Sequence, residues 1–168
     1  GTLMSNLGVE RALAELGLGF CRARVGDRYV LETLRDRGWL LGGESSGHII
    51  CLDRTTTGDG IVSALQVLEA MAAAQRPLHE LVAPVRKCPQ VMRNVRVPEP
   101  ACVATSAVVK AAVEAAEAAM GPRGRVLIRP SGTEPVVRVM VECEDPIETE
   151  TRAGELAELV ERELGFRN

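Results

Sequence analysis

The richest set of ligand-binding groups in this sequence lies in one short loop. Residues 129–135 read Arg-Pro-Ser-Gly-Thr-Glu-Pro, and Arg138 follows three positions later. Guanidinium groups bind phosphate oxygens in pairs, and the hydroxyls of Ser131 and Thr133 add further donors. Gly132 can adopt positive φ and bring backbone N–H groups against an anion. The pattern predicts a phosphate site; the alternative is a plain hairpin turn, in which Pro and Gly only reverse the chain.

A second loop, residues 42–48, reads Gly-Gly-Glu-Ser-Ser-Gly-His. Glu44 and Ser46 are two positions apart, so an extended backbone would place their side chains on one side. A carboxylate and a hydroxyl presented together suit sugar hydroxyls or an amine, and His48 can transfer protons near neutral pH. Such a loop alone is more often ordinary structure, so its interpretation depends on the first loop.

Strand and helix periods alternate through the first half of the chain. Residues 2–5 and 20–25 predict strands, and apolar runs at 39–41 and 49–52 flank the second loop. Three helices are predicted to begin near Asn6, Asp27 and Asp59. The apolar positions of the third helix should face a core, and they are Ile61, Ala64, Leu65, Leu68 and Ala72. These signals predict an α/β domain with a mixed sheet over residues 1–84.

The second half carries its elements in the order β-α-β-β-α. A proline-rich stretch near residues 84–88 marks the predicted domain boundary. The predicted elements are a strand at 91–97, a helix at 105–120, strands at 125–129 and 136–142, and a helix at 147–164. This order predicts a two-layer α+β domain over residues 85–168, with both helices on one face of the sheet.

Composition limits the function classes. With 168 residues, 46% hydrophobic and 26% charged, the chain is expected to be globular. A net charge of −3 gives no basic stripe, so neither nucleic acid nor a membrane is an expected partner. No apolar run approaches about 18 residues and no signal peptide opens the chain. The five cysteines lack Cys-x-x-Cys spacing, which predicts reduced thiols and a cytoplasmic protein.

Together, the two loops resemble the sugar-binding and phosphate-binding signatures of the α-D-phosphohexomutases. Three other segments are similar to the bacterial phosphoglucosamine mutase branch of that family: Gly-Thr-Leu-Met-Ser-Asn at 1–6, Val-Gly-Asp-Arg-Tyr-Val at 25–30 and Thr-Thr-Thr-Gly-Asp-Gly at 55–60. Family members have four domains. The resemblance therefore implies a carboxyl-terminal portion, with an incomplete third domain at 1–84 and the fourth domain at 85–168.

The resemblance implies an enzyme that interconverts glucosamine 6-phosphate and glucosamine 1-phosphate by intramolecular phosphoryl transfer. In the family, a phosphoserine donates its phosphoryl group to one end of the sugar, and the resulting bisphosphate turns over. A Mg²⁺ ion held by an aspartate-rich loop supports the transfer. Neither loop is found in this sequence. We therefore expect the chain to hold substrate, to bind no metal itself, and to be inactive without its missing amino-terminal domains.

Individual roles follow from the same resemblance. Glu44 and Ser46 would hold sugar hydroxyls. The phosphate that is not being transferred would be held by Arg129, Ser131, Gly132, Thr133 and Arg138. His48 matches a position where related enzymes carry a histidine proposed as an acid or base or as a substrate contact. Arg24 falls where relatives often place a basic residue near the active site, although it also reads as a solvent-facing strand residue.

Two other functions stay open at this point. The chain could be the corresponding portion of a phosphomannomutase/phosphoglucomutase, or a non-catalytic module that binds sugar phosphates. A phosphorylated amino sugar is the expected ligand of the leading interpretation. If the first sheet is incomplete, its uncovered edge would favour pairing with a second copy, so a homodimer is one expected assembly.

Overall fold

A computed structural model describes residues 1–166, and the chain divides into two units between Lys87 and Cys88. The elements of the first unit are α1 (Leu7–Glu15), α2 (Asp27–Arg37), β1 (Leu41–Gly43), β2 (Ile49–Cys51), α3 (Gly60–Ala74) and α4 (Leu78–Leu81). The elements of the second unit are β3 (Gln90–Arg96), α5 (Ala107–Met120), β4 (Gly124–Pro130), β5 (Val136–Cys143) and α6 (Pro146–Leu164), with short 3₁₀ turns at Pro100–Ala104 and Gly121–Arg123. Helices combined with two small antiparallel sheets confirm the mixed α/β class.

Side-chain caps fix the start of two helices in the first unit. The side chain of Asn6 accepts a hydrogen bond from the Gly8 N–H at 2.9 Å, where α1 begins. The Asp59 carboxylate accepts from the N–H groups of Ile61 and Val62 at 2.8 and 2.9 Å, where α3 begins. Helices α1 and α3 therefore start at the positions predicted from the capping residues Asn6 and Asp59.

Helix α2 begins differently. Gly26, at φ 125°, occupies the N-cap position, and no side chain caps the helix. The prediction that Asp27 is a cap is therefore wrong, because glycine takes the unusual backbone conformation and moves Asp27 into the first turn. The Asp27 carboxylate is left for another partner.

The predicted strands at residues 2–5 and 20–25 reduce to a single parallel bridge between Thr2 and Ala23. Ser5 stops the pairing: its hydroxyl accepts from the Thr2 N–H, and its own N–H bonds the Thr2 carbonyl, both at 2.9 Å. A side chain that bonds nearby backbone in this way turns the chain before a ladder can extend.

The apolar surface of α3 was expected to face a core, and that prediction is wrong within the described residues. Ile61 is 75% exposed, and Leu65 and Leu68 are each 57% exposed. The helix carries apolar residues around most of its circumference, whereas its principal neighbours are β2 and α4. Two short elements cannot cover a helix of this length.

The second unit has the predicted order β-α-β-β-α. Its antiparallel sheet runs β3-β5-β4, so the strand after the phosphate-type loop is central. Helix α6 packs against β3 and β5, and α5 packs against β4. Val137, Val139 and Val141 of β5 point toward these helices and are fully buried. The helices therefore cover one face of the sheet, as the sequence predicts.

The second face of this sheet is defined here as the face that carries Val136, Arg138, Met140 and Glu142 of β5. Side chains alternate along a strand, so these residues lie opposite the helix-facing valines. Glu142 is fully buried on this face and accepts a hydrogen bond from Arg125 Nε at 2.7 Å. Pairing of this carboxylate leaves Arg138, at the loop end of the same row, as a separate polar position.

The β1–β2 hairpin packs on α2 through a glycine. Gly42 is buried, and a Cβ at this position would lie 2.6 Å from Val30 Cγ1 and 3.0 Å from Leu34 Cδ1. Val30, Leu34 and Ile50 belong to the buried cluster of this unit. The missing side chain lets the hairpin come close enough to α2 to hold the loop that begins at Glu44.

We expect Gly42→Ala to lower the free energy of unfolding of the first unit by about 1–3 kcal/mol, because the added methyl overpacks the contact with α2. Urea unfolding followed by the fluorescence of Trp39, the single tryptophan of the chain, measures this unit. Gly60→Ala is the matched control, since a Cβ there meets nothing within 4 Å. Equal destabilisation by both substitutions would contradict the packing argument.

Candidate functional sites

The loop between β4 and β5 is fixed at both ends by backbone hydrogen bonds. The Ser131 N–H bonds the Val136 carbonyl at 2.9 Å, and the Val136 N–H bonds the Glu134 carbonyl at 2.8 Å. The Pro135 carbonyl accepts from the Val97 N–H at 3.1 Å, which ties the loop to the segment after β3. The loop therefore has a defined shape set by the sheet.

Two arginines stand directly opposite each other where this loop leaves the sheet. Arg129 of β4 pairs in register with Arg138 of β5, so both side chains lie on the second face. Like charges in directly opposite positions destabilise a sheet. Within residues 1–166, the side chain of Arg129 has neither a hydrogen bond nor an ion pair. The pair therefore concentrates positive charge that the described residues only partly neutralise.

Arg138 itself is incompletely paired. Its Nη2 lies 3.3 Å from Glu134 Oε2. Its Nε is buried and has no hydrogen-bond partner among the described residues. A buried donor left unpaired costs about 1–3 kcal/mol, more when it is charged. Such a donor beside a second cation makes this position a candidate anion site.

The hydroxyls of the loop are also available. Ser131 Oγ accepts a weak hydrogen bond from the Thr133 N–H at 3.4 Å, which leaves its own hydrogen for another acceptor. Thr133 is exposed. Gly132 does not adopt positive φ, so the predicted left-handed nest is not formed. A Cβ at Gly132 would meet nothing within 4 Å, so the fold of the loop does not itself require glycine there.

Sequence reasoning missed Arg96. The register places Arg96 of β3 opposite Val136 and Asn94 opposite Arg138, so both side chains belong to the second face. Arg96 is exposed and makes no ion pair within the described part of the chain. Alternation along β3 could have placed Arg96 on the polar side of its strand. Only the strand order, β3 beside β5, brings it diagonally next to Arg138.

The loop in the first unit is a tight turn. The Gly47 N–H bonds the Glu44 carbonyl at 3.0 Å, and the Glu44 N–H bonds the His48 carbonyl at 2.9 Å. Ser46 lies inside this turn and is exposed. The expected extended presentation of Glu44 and Ser46 is therefore wrong, because Gly47, at φ 91°, lets the chain reverse between the strands.

Glu44 links this turn to α2. Its Oε1 accepts a hydrogen bond from the Gly26 N–H at 2.8 Å. The carboxylate therefore sits beside the amino end of α2, where the helix dipole favours negative charge. Its Oε2 has no hydrogen-bond partner in the part of the chain that the structure describes. One oxygen links the turn to the start of α2, and the other has no partner among the described residues.

His48 follows the turn and is held from two sides. A Cβ at Gly58 would lie 2.1 Å from His48 Nε2, so the ring rests against the glycine backbone. Nε2 is buried without a hydrogen bond and lies 3.6 Å from Asp27 Oδ2. Arg24, by contrast, is exposed, and its guanidinium stacks on the Tyr29 ring at 4.2 Å from the ring centre. A catalytic role for either residue stays a prediction.

No group of three or more His, Cys, Asp or Glu side chains within residues 1–166 could hold a metal ion. Asp53 pairs with Arg54 at 3.2 Å and Asp59 caps α3, which accounts for both carboxylates. The described residues therefore do not fit a Mg²⁺ site.

Among the same residues, no helix combines the length and apolar character needed to cross a membrane.

Known proteins match both units. The sequence model of the phosphoglucomutase/phosphomannomutase alpha/beta/alpha domain III matches residues 1–88, and that of the C-terminal domain of the same family matches residues 92–159. A phosphoglucosamine mutase from Alkalilimnicola ehrlichii is 60% identical over 157 residues, which are 94% of this chain and 35% of the relative. A phosphoglucosamine mutase from Cellvibrio japonicus is 55% identical over 164 residues, which are 98% of this chain and 37% of the relative. The chain thus spans little more than a third of the length of these relatives.

Solved structures give the same fold. An N-acetylphosphoglucosamine mutase from Aspergillus fumigatus superposes with a TM-score of 0.84 at 19% identity, over 96% of this chain and 37% of that protein. A structure of the same fungal enzyme in complex with GlcNAc-6P and magnesium gives a TM-score of 0.78 at 19% identity, over 95% of this chain and 40% of that protein. At this identity the likeness concerns the fold alone. Because the family's domain models match both of its units, the chain belongs to the phosphoglucomutase/phosphomannomutase family of α-D-phosphohexomutases and corresponds to their third and fourth domains.

Proposed function

We propose that this chain is the substrate-holding part of a phosphoglucosamine mutase, which interconverts glucosamine 6-phosphate and glucosamine 1-phosphate. One observation carries the proposal: Arg129 and Arg138 stand opposite each other on one sheet face, and the buried Arg138 Nε has no partner. A phosphate dianion supplies the acceptors that these donors lack. The high identity to phosphoglucosamine mutases supports this branch of the family over the phosphomannomutase/phosphoglucomutase alternative.

In this proposal, the phosphate that is not being transferred binds to the second unit. Arg129 and Arg138 bind its oxygens, and the hydroxyls of Ser131 and Thr133 add donors. The backbone N–H of Gly132 approaches closely because no side chain intervenes. Binding energy from this fixed phosphate orients the sugar for reaction at its other end.

The first unit contributes contacts to the sugar in the same proposal. Glu44 Oε2 accepts from ring hydroxyls or from the 2-ammonium group of glucosamine, and the Ser46 hydroxyl, which is exposed in the turn, adds a second contact. His48 moves a proton to or from the reacting hydroxyl. Arg24 adds positive charge near the same group.

Phosphoryl transfer itself needs a phosphoserine and Mg²⁺, which we place in parts of the enzyme that this chain does not span. The residues described here supply binding and orientation, so we expect no mutase activity from the chain alone. The product would enter amino sugar metabolism and the synthesis of UDP-N-acetylglucosamine. The cytoplasmic location and the homodimer stay predictions.

An NMR titration of the isotope-labelled chain tests the proposal. We expect glucosamine 6-phosphate to shift the amides of residues 129–138 and also those of Glu44, Ser46 and His48. Inorganic phosphate should shift only the first group. Equal responses at Glu44 to mannose 6-phosphate and to the amino sugar would favour the phosphomannomutase/phosphoglucomutase alternative. If none of the three ligands shifts residues 129–138, the proposed phosphate site is wrong.

Arg129→Ala should weaken phosphate binding by about 1.5–3 kcal/mol, since it removes a charge-assisted bidentate contact. This corresponds to a rise in Kd of roughly 10- to 150-fold, measured by the same titration. Arg129→Lys is the informative companion, because lysine keeps the charge but loses the planar fork. An unchanged Kd in the alanine variant would mean that the loop is only a turn.

Gly132→Ala tests the close approach of backbone to phosphate. The new methyl meets no atom of the loop within 4 Å, so we expect stability to stay the same or rise by up to about 1 kcal/mol. Phosphate affinity should nevertheless fall, because the methyl occupies the space through which the anion reaches the backbone N–H. Thermal unfolding and phosphate titration, done together, separate the two effects. Retained affinity in a stable variant would show that the anion does not approach at this residue.

Arg96→Ala should weaken phosphate binding by about 2- to 5-fold at low salt, because Arg96 adds a solvent-exposed charge diagonal to Arg138. The difference should shrink as the ionic strength rises. Arg93→Ala is the matched control: Arg93 is on the same strand, but it faces the helices and pairs with Glu150. The same loss in both variants would show a general charge effect and no role for the second face.

A further inference from the structure

One ring nitrogen of His48 lies in an enclosed position that the proposed chemistry does not explain. Nε2 is buried, has no hydrogen bond within the described residues, and lies against the backbone at Gly58. The nearest acidic atom that the structure gives it is Asp27 Oδ2, at 3.6 Å. This distance is just beyond hydrogen-bond length, and the contact is an ion pair only when His48 is protonated.

Other charged groups near the start of α2 have different partners. Glu44 directs Oε1 to the Gly26 N–H at 2.8 Å. Arg28 donates to Glu32 Oε1 at 2.9 Å, and this hydrogen bond raises the pKa of the Arg28 guanidinium. Arg24 stacks on the Tyr29 ring. The Asp27 carboxylate is therefore the charged group that these contacts leave facing His48.

We propose that Asp27 is a positioning residue for His48. Its carboxylate favours the tautomer in which Nε2 carries the hydrogen, and Nδ1 is then left without one. This inference rests on the proposed function, in which His48 moves a proton to or from the reacting hydroxyl, and it makes Nδ1 the atom that accepts this proton and later returns it. The carboxylate would also stabilise the imidazolium formed when Nδ1 holds that proton.

Gly58 explains why the ring keeps this orientation. A side chain at that position would collide with Nε2, so the glycine creates the space that the imidazole occupies. Backbone on one side and a carboxylate on the other restrict rotation of the ring. The N-cap glycine places Asp27 one residue inside α2 and so directs its carboxylate away from the capping position.

The tautomer of His48 can be measured directly because the chain has only two histidines, His48 and His79. His79 is exposed on α4 and serves as an internal reference. Long-range ¹⁵N–¹H spectra at about pH 8, where an unperturbed imidazole is neutral, give the tautomer ratio of each ring. We expect His48 to be almost entirely in the Nε2–H form, and His79 to show a mixture.

Asp27→Ala should raise the Nδ1–H fraction of His48 severalfold, toward the ratio of His79. Asp27→Asn should restore the native ratio, because its amide oxygen can still accept the Nε2 hydrogen. The matched control is Asp36→Ala at the exposed far end of α2, which should leave the ratio unchanged. Backbone amide shifts of α2 confirm that each variant is folded.

A native tautomer ratio in folded Asp27→Ala would overturn the inference, as would the same change in Asp36→Ala. The measurement needs no ligand, so its outcome is independent of whether glucosamine 6-phosphate binds. Failure of the sugar-phosphate titration would instead count against the proposed function. The two ideas can therefore fail separately.

Discussion

The second unit is organised around two like charges that stand opposite each other. Arg129 and Arg138 occupy one register position on adjacent strands, and like charges placed directly opposite each other destabilise a sheet. The unpaired Arg138 Nε adds a further cost. The buried valines on the helix side of β5 offset both, since each fully buried Val contributes about 1.5–3 kcal/mol. The apolar face of the strand thus maintains an unfavourable polar face, on which a bound anion would add acceptors to the single Glu134 contact.

The contrast between the apolar face of β5, which the helices cover, and its charged second face also explains why β5 is the central strand of the sheet. A central strand has neighbours on both sides, so residues from β3 and β4 can meet around Arg138. An edge strand would offer one neighbour and more backbone freedom. Farther along the same face, Glu142 is fully buried and paired with Arg125, so its charge does not compete at the loop end. The sheet therefore keeps its one fully buried carboxylate away from Arg129, whose side chain has no partner among the described residues, and from the incompletely paired Arg138.

Predictions from the sequence are correct where the signal lies within a few residues. They are wrong where the position of a residue depends on the segments that pack or hydrogen-bond beside it. The order β-α-β-β-α and the position of the 129–135 loop between two strands follow from periodicity and from turn residues within a few positions. Arg96 was missed because strand order, not sequence distance, places it beside Arg138. The strand at residues 2–5 was overpredicted because the Ser5 hydroxyl competes for backbone hydrogen bonds. The shared orientation of Glu44 and Ser46 failed because it assumed extended backbone where Gly47 permits a turn.

Glu44 shows how closely fold and proposed function are joined in the first unit. One carboxylate oxygen holds the Gly26 N–H, and Gly26 in turn sets the start of α2 and the position of Asp27. A ligand bound to Oε2 would therefore contact a carboxylate whose other oxygen already accepts a hydrogen bond from the Gly26 N–H. Anchoring reduces the conformational entropy that the side chain would lose on binding. The hydrogen bond that links the turn to α2 thus fixes the carboxylate and leaves its second oxygen for the sugar contact that we propose, without a separate residue to hold it in place.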